Sequence, residues 1–182
     1  AEARRLVFAR TIRGFADGLV SVTLASYLDG LGFSGFEIGA IVTATMLGSA
    51  VLTLWIGLCG GALNARTLLI AGTALMAMTG AGFAAFTEFW PLLVVGFAGT
   101  MNPSASDVSL FLPIEQSLLS ERVAAKDRTS LFARYTLGGA LAGALGALAA
   151  AAPGPLSRAL NEPLGDIQRA VFVLYAVTSI AV

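Results

Sequence analysis

Histidine is absent from all 182 residues, which removes Ser-His hydrolysis and every imidazole metal site from consideration. Cysteine occurs once, at Cys59, so no internal disulfide forms, and a lone thiol near a helix end reads as a small apolar residue. Charge is scarce too: 12% of the residues are Asp, Glu, Lys or Arg, where a soluble domain carries about 25%. Eleven bases balance eleven acids, and the bases are scattered rather than gathered, so no nucleic-acid surface is implied. Neither Cys59 nor the carboxylates have ligand spacing, so no metal, no cofactor and no enzymatic activity are expected.

Apolar residues fill the chain instead: 57% are hydrophobic and the mean hydropathy is +0.82. Five long apolar segments lie at roughly 7–28, 38–60, 67–87, 91–119 and 129–152, followed by a shorter one at 170–182. Each long segment reaches the about 20 residues that cross a bilayer as a helix. The segments are too long, and alternate too little, for barrel strands of about ten residues. Backbone groups in hydrocarbon must be satisfied within their own segment, which leaves helices. The expected fold is all-α, a polytopic transmembrane bundle with the lipid bilayer as its solvent. The first segment follows Arg4 and Arg5 like a signal peptide, but it contains Asp17 and precedes further spans, which favours a retained helix. The last segment is too short to span and reads as a sixth helix cut short.

The basic residues divide by side. Arg4, Arg5, Arg10, Arg13, Arg66, Arg122, Lys126, Arg128 and Arg134 belong to the N-terminal tail and the even-numbered connections, against Arg158 and Arg169 on the odd-numbered ones. That positive-inside pattern puts the N-terminus in the cytoplasm.

Polar residues inside the spans are the candidate functional groups, because ionisable side chains at membrane depth are costly. Arg13 and Asp17 form an i,i+4 pair on the first helix. Asn102, Ser106 and Asp107 lie on the fourth, with Pro103 and Pro113 bending it. Asp17 and Asp107 come out near the bilayer midplane, roughly 15–18 Å deep by helix rise. They are the candidates for contact with a proton or a cationic solute, with Asn102 and Ser106 beside them. The alternative is that both aspartates only tie helices together. Nearer the cytoplasm, Glu115 is expected to pair with Arg134 or Arg13, the alternative being that all three reach back to the interface. Gly139, Gly143 and Gly146 form a small-residue stripe on the fifth helix, expected to pack closely on a neighbour. Ser34 and Glu37 make a capping box ahead of the second helix.

With these features in order, the chain resembles the N-terminal six-helix half of a major facilitator superfamily transporter. The resemblance covers essentially the whole chain, residues 1–182, as one transmembrane domain. It rests on the inside N-terminus, the tight second-to-third loop "GLCGGALNART", the basic loop "SERVAAKDRTSLFARY" and the glycine-rich fifth helix. Its fourth segment, "NPSASDVSLFLPIEQ", is similar to a bacterial branch, which implies a bacterial cytoplasmic membrane. The resemblance implies secondary active transport of a small solute by alternating access, admits protons as a coupling ion, and calls for a second six-helix half as partner. Gly57 and Arg66 of the family's loop motif are kept, with Gly61 where an acid is usual. The Gly-Pro pair associated with antiporters is missing from "GGALAGALG". A non-catalytic structural or assembly membrane protein is the alternative function.

Overall fold

The computed structural model describes residues 2–59, 64–101, 111–122 and 125–180, all of them in helices or short connections, with no strand among them. The helices are α1 (Glu2–Gly30), α2 (Gly35–Cys59), α3 (Ala65–Ala85), α4 (Phe89–Ala98), α5 (Phe111–Arg122), α6 (Ala125–Ala149), α7 (Pro153–Leu160) and α8 (Leu164–Ile180). By length and composition α2, α3 and the Arg128–Ala149 part of α6 qualify as membrane spans. α1 is as long but carries the charges that matter below.

The connection from α1 to α2 turns at Gly32, whose φ of 86° suits glycine. The capping box forms there. The Ser34 N–H donates to Glu37 Oε2 at 2.8 Å, and the Glu37 N–H returns a longer bond of 3.4 Å to Ser34 Oγ, satisfying both donors reciprocally. The expected continuous fourth helix over 91–119 is corrected. α4 stops at Ala98, and Gly99 is extended, at φ −83° and ψ 176°. Neighbouring helices take over the backbone: the Thr100 N–H donates to Thr79 Oγ1 at 3.3 Å, and Ser49 Oγ donates to the Met101 carbonyl at 3.2 Å. The long connection after α6 holds a short helix, α7, started by Pro153 and ended by Asn161 in the left-handed conformation at φ 56°, a start and a stop that each residue type favours. α8 begins at Leu164, ahead of the expected Ala170.

The helices pair as α1 with α6, α2 with α4 and α3 with α8. Two separate apolar cores result among the described residues. The larger joins α1, α2, α3, α4 and α8 around Leu24, Tyr27, Ile41, Met76, Phe83, Leu92 and Phe172. Within it Phe172 stacks on Phe83 with ring centroids 5.5 Å apart and leans on Tyr27 at 5.0 Å. The smaller core is Phe111 and Ile114 of α5 against Ile56 of α2 and Leu68 of α3.

α1 and α6 approach through glycine on both sides. A Cβ at Gly14 would come within 2.6 Å of the Gly139 carbonyl oxygen, and one at Gly18 would strike the Gly143 carbonyl. The stripe of Gly139, Gly143 and Gly146 therefore lies against Gly14, Phe15 and Gly18 of α1, the close approach expected of small residues at this spacing.

Candidate functional site

Where α1, α5, α6 and α8 meet, six polar side chains collect inside the bundle: Arg10, Arg13, Asp17, Glu115, Tyr135 and Tyr175. The centre is Arg13, 1% exposed. It sits on α1 one turn before Asp17, and its Nη2 donates to Glu115 Oε1 of α5 at 2.6 Å.

Each side chain reaches the cluster for a local reason. Phe111 and Glu115 are one turn apart on α5 and face the same way. Together they hold the Arg13 guanidinium. The carboxylate does so by the ion pair, and the Phe111 ring by a cation–π contact, with Arg13 Cζ 4.0 Å from the ring centroid. Glu115 is 1% exposed, and its second oxygen accepts a hydrogen bond from the Tyr135 hydroxyl of α6. Arg10 lies with Cζ 5.7 Å from the centre of the Tyr135 ring. It crosses α6 at Gly139, where a Cβ would come within 2.6 Å of Arg10 Nε. Asp17 is half-buried one turn after Arg13, and Tyr175 of α8 lies near its carboxyl.

Among the described residues, two arginines stand against two carboxylates in this cluster. An ion pair removed from water holds only where its remaining lone pairs and protons are met. Glu115 satisfies that condition with Arg13 on one oxygen and Tyr135 on the other. Arg13 satisfies it in part, since its Nε and Nη1 have no hydrogen-bond partner among the described residues.

Of the two bases considered for Glu115, the structure brings Arg13 to it, while Arg134 is exposed. Asn102, Ser106 and Asp107 lie outside the described residues. Arg10, Phe111, Tyr135 and Tyr175 join the cluster, the two tyrosines without having been singled out in the sequence. The tyrosines did carry a signal: a phenol within an apolar helix needs a hydrogen-bond partner, and Tyr27, Tyr135 and Tyr175 are each 1% exposed. No group of three metal-ligating side chains occurs among the described residues.

The sequence profile described as Major Facilitator Superfamily matches residues 6–182. The chain is also similar to an uncharacterized membrane protein of Saccharomyces cerevisiae, with 26% identity over 167 residues. That match covers 91% of this chain and 37% of the yeast protein, so the chain spans little more than a third of the length of its relative.

Proposed function

The chain belongs to the major facilitator superfamily, and we propose that it forms the N-terminal half of a secondary transporter that moves a small solute, coupled to protons, by alternating access. A second six-helix half is the partner in this reading, and the bilayer is a bacterial cytoplasmic membrane with the N-terminus inside. The observation that carries it is the buried Arg13–Glu115 pair with Asp17 one turn away. Ionisable groups are kept within a membrane bundle at a cost, and ion and substrate pathways are where that cost is met. Reconstitution of the full-length protein tests the reading. Liposomes with an entrapped pH dye are offered sugars, organic cations and carboxylic acids in turn. At least one class is expected to shift the internal pH, and a well-folded preparation that responds to none overturns the proposal.

Asp17 and Asp107 are the proposed proton or cation groups, with Asn102 and Ser106 as polar contacts for the solute. Asp107→Asn keeps shape and hydrogen bonding but cannot ionise. It is expected to reduce transport and flatten its pH dependence, and unchanged rate and pH profile would remove Asp107 from the pathway.

Orientation has its own test. Glu88, exposed just before α4, is proposed to face outside, and Lys126 the cytoplasm. In a Cys59→Ala background, an impermeant maleimide is expected to label Glu88→Cys in intact cells and Lys126→Cys only after permeabilisation. The reverse labelling inverts the topology.

A further inference from the structure

We infer that α7 is an interfacial helix: the face made by Leu156, Ala159 and Leu160 lies among the acyl chains of a phospholipid leaflet, with Arg158 on the far side, raised to the headgroup phosphates. The inference needs α6 to cross the bilayer and does not need the protein to transport anything.

The helix is short, Pro153–Leu160, and two-sided. At about 100° per residue, Leu156, Ala159 and Leu160 fall within about 100° of arc, and Arg158 stands roughly opposite both leucines. The apolar face is open, with Leu156 48% and Leu160 57% exposed and Ala159 exposed between them. The bundle meets α7 elsewhere: Pro153 is buried, and the helix packs on α8. Its C-terminal end is tied down. The Ser157 carbonyl accepts from the N–H groups of Asn161 and Glu162, and Ser157 Oγ donates to the Glu162 carbonyl at 2.6 Å. These bonds join the end of α7 to the chain that leads into α8, which holds the leucines in their outward direction.

What covers the leucines follows from where both ends of α7 are held. The span in α6 runs to Ala149. Leu137, Leu141, Leu145 and Leu148 are exposed along it, so its apolar surface lasts into the final turn. Residues 150–152 then close tightly on that end, with the Ala152 N–H donating to the Ala149 carbonyl at 2.9 Å. Three residues reach at most about 11 Å even when extended, so α7 starts at the level where the hydrocarbon ends. Residues 161–163 return the chain to α8 with the same short reach. An apolar face pinned at that level is within reach of acyl chains, and contact with them removes it from water. Helices of this kind sink their apolar face about 5–10 Å into the boundary between headgroups and chains. Charge fits the same partner. Arg158 is exposed and is the sole ionisable residue of α7, and a guanidinium pairs strongly with a phosphate oxygen. In the orientation proposed above, the leaflet is the outer one.

Spin labels test this on the full-length protein in phospholipid nanodiscs, in a Cys59→Ala background, at Leu156→Cys, Arg158→Cys and Leu160→Cys. Collisions with oxygen, which concentrates in hydrocarbon, are compared with collisions with a water-soluble nickel chelate. The oxygen-to-nickel ratio is expected to be severalfold higher at positions 156 and 160 than at 158. Equal ratios at all three positions put the helix in water and overturn the inference. Immobilised labels at 156 and 160 that neither reagent reaches mean that protein covers the face, the second half or another copy, and overturn it too. Should a label disturb the helix, Leu160→Trp in a Trp55→Phe, Trp90→Phe background gives the same reading by fluorescence. Its emission is expected to be quenched more by brominated phospholipid chains than by acrylamide, and the reverse order overturns the inference. Neither readout involves a solute, so a protein that transports nothing yet shows this depth pattern counts against the transport reading alone.

Discussion

Glu115→Leu is expected to destabilise the bundle by about 3–5 kcal/mol, the range found when one partner of a buried ion pair is removed. The variant leaves the Arg13 guanidinium at 1% exposure without its anion, and the Tyr135 hydroxyl without its acceptor. Replacing both charged partners, Glu115→Leu with Arg13→Met, is expected to recover most of the loss, since an apolar pair of similar volume often matches a buried ion pair. Recovery stays incomplete because the Tyr135 hydroxyl is still unmet, at a cost of about 1–3 kcal/mol, and because Asp17 loses one of the two arginines beside it. Arg134 is exposed on α6, and Arg134→Met is expected to change stability little. Unfolding of the full-length protein in a fixed detergent ranks the variants. A Glu115→Leu variant as stable as wild type, or a double variant worse than Glu115→Leu alone, would sink the account.

The three spans of α2, α3 and α6 were legible because length and hydropathy are local properties that a bilayer reads directly. The break after Ala98 was not, although Pro103 and Pro113 announced a bend. Gly99 leaves the helix where Thr79 and Ser49, from two other helices, bond to the backbone that follows, and no local pattern encodes those partners. α7 is the opposite case: Pro153 at its start and Asn161 at its end are local signals present in the sequence. Glu115 lay between the two. Its depth was readable, and depth limited its partner to Arg13 or Arg134. The choice between them depends on the rotation of α6, which turns Tyr135 inward and leaves the adjacent Arg134 outside.

Rotation also decides how the glycine stripe of α6 behaves, and the three glycines are not equivalent. Gly146→Ala is expected to cost about 1–3 kcal/mol, the usual range for overpacking. Its new Cβ would strike the Phe15 carbonyl oxygen and lie 2.8 Å from the Leu19 nitrogen, both backbone atoms of α1 that cannot swing aside. Gly18→Ala is expected to cost a similar amount, because its Cβ would strike the Gly143 carbonyl from the other side. Gly143→Ala is different. Its Cβ would meet only the Gly14 carbonyl oxygen, at 3.5 Å, an ordinary contact. Alanine is also favoured over glycine within a helix by about 0.5–1 kcal/mol, so this variant is expected to be neutral or slightly stabilising. Gly139→Ala meets a side chain, Arg10 Nε at 2.6 Å, and its effect is expected to fall on the Arg10–Tyr135 contact more than on the helix spacing. Thermal unfolding of the four full-length variants separates these cases. If Gly143→Ala loses as much as Gly146→Ala, α1 and α6 do not meet in this register.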